Sequence, residues 1–144
     1  MKWRNVPFPE TYIAPLLLGV AVDFMFPRVL IANSAVPFVL GIPLLLGGLL
    51  IIFGAVREIG SHDVDAPTML ITSGPYAWSR NPMYVAWTFI YIGLICIINS
   101  VWLLLLLPVA LVLTHLVVLR EEKKLEELFG DSYRDYRQNV RRYI

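Results

Sequence analysis

Long apolar runs, cut by proline, glycine and a few charges, are what most limit the fold of this 144-residue chain. About 20 predominantly apolar residues cross the hydrocarbon core of a bilayer as a helix. The runs lie at about residues 12–26, 36–56, 82–98 and 101–119. Hydrophobic residues make up 58% of the chain and charged residues 16%, more apolar mass and less charge than a soluble domain of this size usually carries. The expected fold class is therefore all-α: one domain over residues 1–144, a polytopic integral membrane protein of about four transmembrane helices with an amphipathic C-terminal tail.

Punctuation along the chain supports this division. Pro7, Pro9 and Pro15 fall at the start of the first run, where a missing N–H costs least. Lys2 and Arg4 precede this run and Ala32 to Ala35 follows it, as in a cleaved leader. Pro15, Asp23 and Pro27 interrupt it, however, and favour a retained helix. Asp23, near its far end, is expected to reach the interface beside Arg28. In the second run Gly41, Gly47, Gly48 and Gly54 would let helices approach closely. Between the second and third runs, "SGPY" at Ser73–Tyr76 reads as a tight turn, and Pro82 suits the first position of a helix. Asn99 and Ser100 leave room only for a short turn, so the third and fourth helices should be antiparallel neighbours.

"REEKKLEELFG" should carry the fourth helix beyond the apolar run and end at Gly130. Asp131 or Ser132 could then cap a short helix. Tyr133, Tyr136, Val140 and Tyr143 would share a face of this tail suited to lipid headgroups.

Four spans would put both termini and the 57–81 segment on one side. That side collects Lys2, Arg4, Arg57, Arg80, Arg120, Lys123, Lys124, Arg134, Arg137, Arg141 and Arg142, and the other only Arg28. Positive residues favour the cytoplasmic face, so the termini and the polar elements are expected there.

On that face two polar elements converge at helix ends. Asn81 and Pro82 begin the third helix, whose free N–H groups suit a carboxylate or phosphate. Glu121 and Glu122 follow the fourth run and can accept from ribose hydroxyls. Tyr76, Trp78 and Tyr84 offer rings to a cation or an adenine. S-adenosylmethionine carries a carboxylate, a sulfonium, a ribose and an adenine. No G-x-G-x-x-G or P-loop string occurs. The two histidines, His62 and His115, lie in no metal-ligand motif, and no metal site is expected. Both are weak candidates for a general base. Cys96, the single cysteine, cannot form an internal disulfide.

"LITSGPYAWSRNPMY", a helical hairpin, then "LREEKKLEELFGDSYRDYRQNVRRYI" together resemble the isoprenylcysteine carboxyl methyltransferase family. That family belongs with the small integral-membrane methyltransferases, which include the phospholipid N-methyltransferases. The likeness covers residues 57–144. The family string "GxYxxxRHPxY" is met by Gly74, Tyr76, Arg80, Pro82 and Tyr84. The double acid is met by Glu121 and Glu122, and "FGxxYxxY" by Phe129, Gly130, Tyr133 and Tyr136.

This resemblance implies methyl transfer from S-adenosyl-L-methionine to a lipophilic acceptor reached from the bilayer, an isoprenylcysteine carboxylate or a lipid. It implies cofactor-binding elements at residues 57–84 and 120–144, with contacts from Thr68, Leu70, Ile71, Gly74, Tyr76, Asn81, Pro82, Met83, Tyr84, Glu121 and Glu122. Arg80 and Arg120 are the catalytic candidates. The chain departs from the family at Asn81, where histidine is usual, and at Thr114–Val118, which lacks the arginine found one turn before the acids in the eukaryotic prenylcysteine enzymes. Arg120 is the nearest cation. Expected partners are the bilayer and a lipophilic or prenylated substrate, not nucleic acid. The alternative is a membrane-embedded, NADPH-dependent reductase of the sterol-reductase type, which shares a related C-terminal layout.

Overall fold

The computed structural model describes residues 9–32, 35–60 and 68–144. His62, Lys2 and Arg4 lie outside the described residues. The described residues form five α-helices: α1 (Glu10–Met25), α2 (Val36–Ile59), α3 (Pro82–Ile98), α4 (Val101–Phe129) and α5 (Asp131–Asn139). A 3-10 turn spans Gly74–Ala77. Helix α1 packs on α4, α2 on α3, and α3 on α4.

Among the described residues two helices, α2 and α4, are long and apolar enough to cross a membrane. The shorter α3 is apolar over 17 residues. Helix α1 has only 16 residues and includes Glu10 and Asp23, so at 1.5 Å per residue its length is about 24 Å. Of the four expected spans, α2 and α4 meet the length of a crossing helix, while α1 and α3 are shorter. The outer faces of α1, α2 and α4 leave Leu17, Phe24, Leu50, Phe53, Leu105 and Val112 exposed. So continuous an apolar exterior suits lipid.

Small residues set the α2–α3 contact. A Cβ on Gly41 would lie 2.7 Å from the Gly93 carbonyl oxygen, and one on Gly48 would lie 2.7 Å from that of Ala86. These backbones meet because neither side has a side chain in the way. Gly47 faces open space and Gly54 meets the Pro75 ring. The expected glycine seam therefore holds at Gly41 and Gly48 and is completed by Gly93. A helical glycine stripe turns about 100° per residue, so adjacent Gly47 and Gly48 cannot both face one neighbour.

The two ends of the bundle are tied differently. At one end Asn99 adopts a left-handed conformation with φ 58°, which an asparagine tolerates in a tight turn. Its side chain accepts from the Ile31 amide at 2.9 Å and donates to the Ile31 carbonyl at 2.8 Å. Asp23 accepts from the Ser100 hydroxyl at 2.8 Å and, more weakly, from the Arg28 amide at 3.5 Å. Its carboxylate is thus held at the α3–α4 turn, beside Arg28 as expected.

At the other end the 3-10 turn packs on α2 and α5 packs on α4. Gly130 ends α4 with φ 50°, and it is also the N-cap of α5, without a side-chain cap. Asp131 is the first residue of α5 and pairs with Arg134 at 3.0 Å, so neither Asp131 nor Ser132 is the cap.

Tyr133 and Tyr136 are 1% and 8% exposed. Tyr136 donates to the Tyr76 carbonyl at 2.6 Å. Tyr133 and Tyr136 of the tail are therefore turned onto the segment that precedes α3 (residues 68–81, the hinge) and not toward headgroups, because it offers the Tyr136 hydroxyl a partner as well as apolar cover.

Gly48→Ala should lower the thermal midpoint in detergent, because overpacking costs about 1–3 kcal/mol and outweighs the helix-propensity gain of about 1 kcal/mol. Gly47→Ala should leave the midpoint unchanged or raise it. Both are read by thermal unfolding, and equal effects would contradict the assigned contact.

Candidate active site

Proline at the first position of α3 fixes where the helix starts, and Asn81 before it has φ −130° and ψ 54°. The Asn81 side chain does not cap the helix. It donates instead to the Glu122 carboxylate at 3.0 Å and to the Arg142 carbonyl at 3.2 Å. Both amide hydrogens are thereby used. The Ser79 hydroxyl donates to the same carbonyl at 3.3 Å and accepts from the Asn81 amide at 3.2 Å. The Arg80 amide donates to the Arg141 carbonyl at 2.9 Å. The C-terminal strap, residues 140–144, is thus bonded along the hinge.

Glu122 is 6% exposed. One of its oxygens meets Arg80 at 3.4 Å, and the other meets Arg142 Nη2 and Nε, each at 3.0 Å. With Asn81 this fills most of the acceptor capacity of a carboxylate. Glu122 is therefore a clasp joining α4, the hinge and the tail. Two guanidinium groups share this one carboxylate, and Arg80, with its side chain 7% exposed, leaves Nε and Nη1 without a hydrogen-bond partner among the described residues. The Tyr133 hydroxyl beside this cluster is also buried and unpartnered.

Glu121 points elsewhere. It accepts from the Tyr84 hydroxyl at 2.8 Å, and its charge is felt by Tyr76. Burial, and then Glu121, push the Tyr76 phenol well above its usual range. Burial pushes Tyr133 up to about 12, with Glu122 adding to the rise and Arg80 opposing it. Tyr136 is also raised, chiefly by burial. These phenols stay protonated donors at neutral pH. Arg142 is held further into its charged form by its hydrogen bond to Glu122.

On the other side of Tyr84 opens a cavity of about 480 Å³. Its walls are Tyr12 from α1; Tyr84, Val85, Thr88 and Phe89 from α3; Leu111, Val112, Thr114, His115 and Leu116 from α4; and Tyr143 and Ile144 from the strap. Val112 and Leu116 are exposed, so the cavity reaches the apolar exterior between α3 and α4. No described residue of α2 lines this cavity, and Gly41 and Gly48 are used to pack α2 against α3. Few polar groups enter the cavity: Tyr12 shares a hydrogen bond with Thr88 at 2.7 Å, Thr114 with Thr11 at 2.7 Å, and His115 Nδ1 with Tyr143 at 2.9 Å.

Of the residues singled out in the sequence, Arg80, Asn81, Tyr84, Glu121 and Glu122 meet at this end of the bundle. Tyr76 is half-buried beside them, and Pro82 and Met83 are buried in the first turn of α3. Leu70 and Ile71 are half-buried, and Thr68 and Gly74 are exposed. Arg120 is exposed on α4 and does not join the cluster, because one residue of helix separates it by about 100° from Glu121. Arg142, Tyr143 and Tyr12 were not anticipated. Arg142 sits in a run of arginines whose pairing partner lies 20 residues away, and nothing local marks it.

A model of the phospholipid methyltransferase family matches residues 36–132. The chain belongs to this family. The matched residues include α2, the hinge, α3, α4 and the acidic pair. Protein-S-isoprenylcysteine O-methyltransferase of Mus musculus is 37% identical over 90 residues, and that of Rattus norvegicus is equally similar. Each match covers 57% of this chain and 29% of the relative, so the chain spans under a third of the length of these curated relatives.

Removing the clasp should be expensive. Glu122→Ala leaves buried arginine charge uncompensated, and breaking such a pair costs about 3–5 kcal/mol. Thermal unfolding in detergent should show a large loss for Glu122→Ala and little change for Glu121→Gln. The reverse order would refute the division between the two acids.

Proposed function

We propose that this chain is a membrane-embedded methyltransferase that passes a methyl group from S-adenosyl-L-methionine to a lipophilic acceptor. The observation that carries the reading is the junction at Tyr84: its hydroxyl is bonded to Glu121 on the polar side, and its body lines an apolar cavity open to the exterior. A water-soluble donor and a lipid-soluble acceptor would meet across that residue.

The residues present fit the donor in kind. Arg80 offers two buried, unpartnered N–H-bearing nitrogens suited to a carboxylate. Glu121 can accept from hydroxyls, and Tyr76 and Tyr84 supply rings and faces for a cation. Thr68, Leu70, Ile71 and Gly74 would complete the hinge side, with Asn81, Pro82 and Met83 forming the floor. Glu122 holds these elements and does not itself bind. Arg80 is the residue assigned to an anionic group; Arg120 receives no role in this reading.

A bound sulfonium supplies an already activated methyl group. The protein therefore has to align two partners and exclude water. The strap closes the polar side, while α1, α3 and α4 enclose the acceptor. Acceptors compatible with the cavity are an isoprenylcysteine-like carboxylate, as in the name of the rodent relatives, or a lipid headgroup. The distribution of positive residues supports a cytoplasmic location for the hinge, the strap and both termini. In this reading α1 and α3 also span, as short members of a four-helix set.

The full chain in detergent should bind S-adenosylhomocysteine and not NADPH, as measured by calorimetry. Glu121→Gln should weaken that binding at least about tenfold, the loss of one charge-assisted hydrogen bond of about 1.5–3 kcal/mol. Binding of NADPH alone would favour the reductase alternative, and unchanged affinity in Glu121→Gln would remove that residue from the site.

A further inference from the structure

His115 lines the cavity proposed for the acceptor. It is half-buried on α4, between Thr114 and Leu116 in the cavity wall. Its Nδ1 shares a 2.9 Å hydrogen bond with the Tyr143 hydroxyl. Its Nε2 makes no hydrogen bond among the described residues.

Tyr143 does not reach His115 by chance of a loose tail. The residue before it is bonded at both side chain and carbonyl, to Glu122, Asn81 and Ser79. The phenol is therefore delivered to Nδ1 by the same clasp that closes the polar side. The partner on one ring nitrogen sets the proton on the other. If Nδ1–H donates to the Tyr143 oxygen, Nε2 keeps its lone pair for a ligand in the cavity that His115 lines.

Among the described residues no arginine or lysine lines this cavity. A carboxylate buried there would lack a cation, whereas a neutral protic headgroup would find a proton acceptor.

We infer that His115 is the catalytic base of the proposed methyl transfer, with Tyr143 as the positioning residue, and that the acceptor's nucleophilic atom arrives carrying a proton. The inference rests on the methyltransferase reading above. The acceptor heteroatom bonds to the methyl carbon, the C–S electron pair returns to the sulfonium sulfur, and the acceptor's proton passes to His115 Nε2. The groups able to perturb that proton are Tyr12 from α1, Tyr84 from α3, Tyr143 from the strap, and Glu121 and Glu122 further along α4.

The first test needs no cofactor. Nitrogen-15 spectra of the full chain in detergent, assigned with His115→Gln, should show the Nδ1–H tautomer at neutral pH, and Tyr143→Phe should abolish that preference. An Nε2–H tautomer in the unaltered chain would overturn the assignment, as would indifference to Tyr143→Phe.

The second test uses labelled S-adenosylmethionine with 4-octylphenol and with S-farnesylcysteine. His115→Gln should slow phenol methylation at least about tenfold, the lower range for a general base being about 100-fold. It should leave S-adenosylhomocysteine binding intact, which also shows that the variant folds. Carboxylate methylation, which needs no base, should change less than about twofold on the same ground. Methylation of S-farnesylcysteine alone, or equal loss for both acceptors, refutes the base while leaving a methyltransferase. Failure of the unaltered chain to bind S-adenosylhomocysteine instead refutes the reading beneath it.

Discussion

The rest of the structure depends on one buried carboxylate. Glu122 sits 6% exposed between Arg80, Arg142 and Asn81. A lone carboxylate so deep would be intolerable, and so would the buried Arg80 guanidinium without it, while Arg142 closes the cluster from a part-exposed position. The two buried charges are kept by each other. That mutual requirement ties three segments distant in sequence: the hinge before α3, the extension of α4 beyond its apolar run, and the last residues of the strap. Closing the site and burying the charges are one event.

The bilayer-facing part of the chain follows different physics. Lipid tails are as apolar as leucine, so helices there gain little from burying leucine against leucine and associate by close packing. Gly41, Gly48 and Gly93 provide that contact between α2 and α3. With α2 committed to α3, the space left for a ligand lies on the opposite side, among α1, α3 and α4. Tyr84 stands where the two regimes meet, its ring on the apolar cavity and its hydroxyl on Glu121. A residue with an apolar body and a polar tip is what such a boundary needs.

Much of this was legible in the sequence, and the rest failed for identifiable reasons. Apolar runs and prolines marked α2, α3 and α4 to within a few residues, since hydropathy and the missing proline N–H act locally. The meeting of hinge and acids was legible too, because a two-residue turn at Asn99 and Ser100 forces α3 and α4 to be neighbours. The tail was misread: a face of tyrosines spaced along a helix looks the same whether it meets lipid or protein. Whether Gly47 or Gly48 faces α3 depends on the rotation of α2, which composition does not reveal. Arg142 was hidden for the same reason, as one arginine among several, distinguished only by a partner across the fold. Arg120 looked attractive from adjacency to the acids, yet helical rotation carries it to the exposed side.

In the proposed function the polar cluster and the lateral cavity are two halves of one site joined at Tyr84. A structure of the chain with S-adenosylhomocysteine would decide this. The ligand is expected between the hinge and α4, against Tyr76, Tyr84 and Glu121, with its sulfur turned toward Thr88 and the cavity. Ligand bound away from Tyr84, or with its sulfur facing the strap and no path to the cavity, would contradict it.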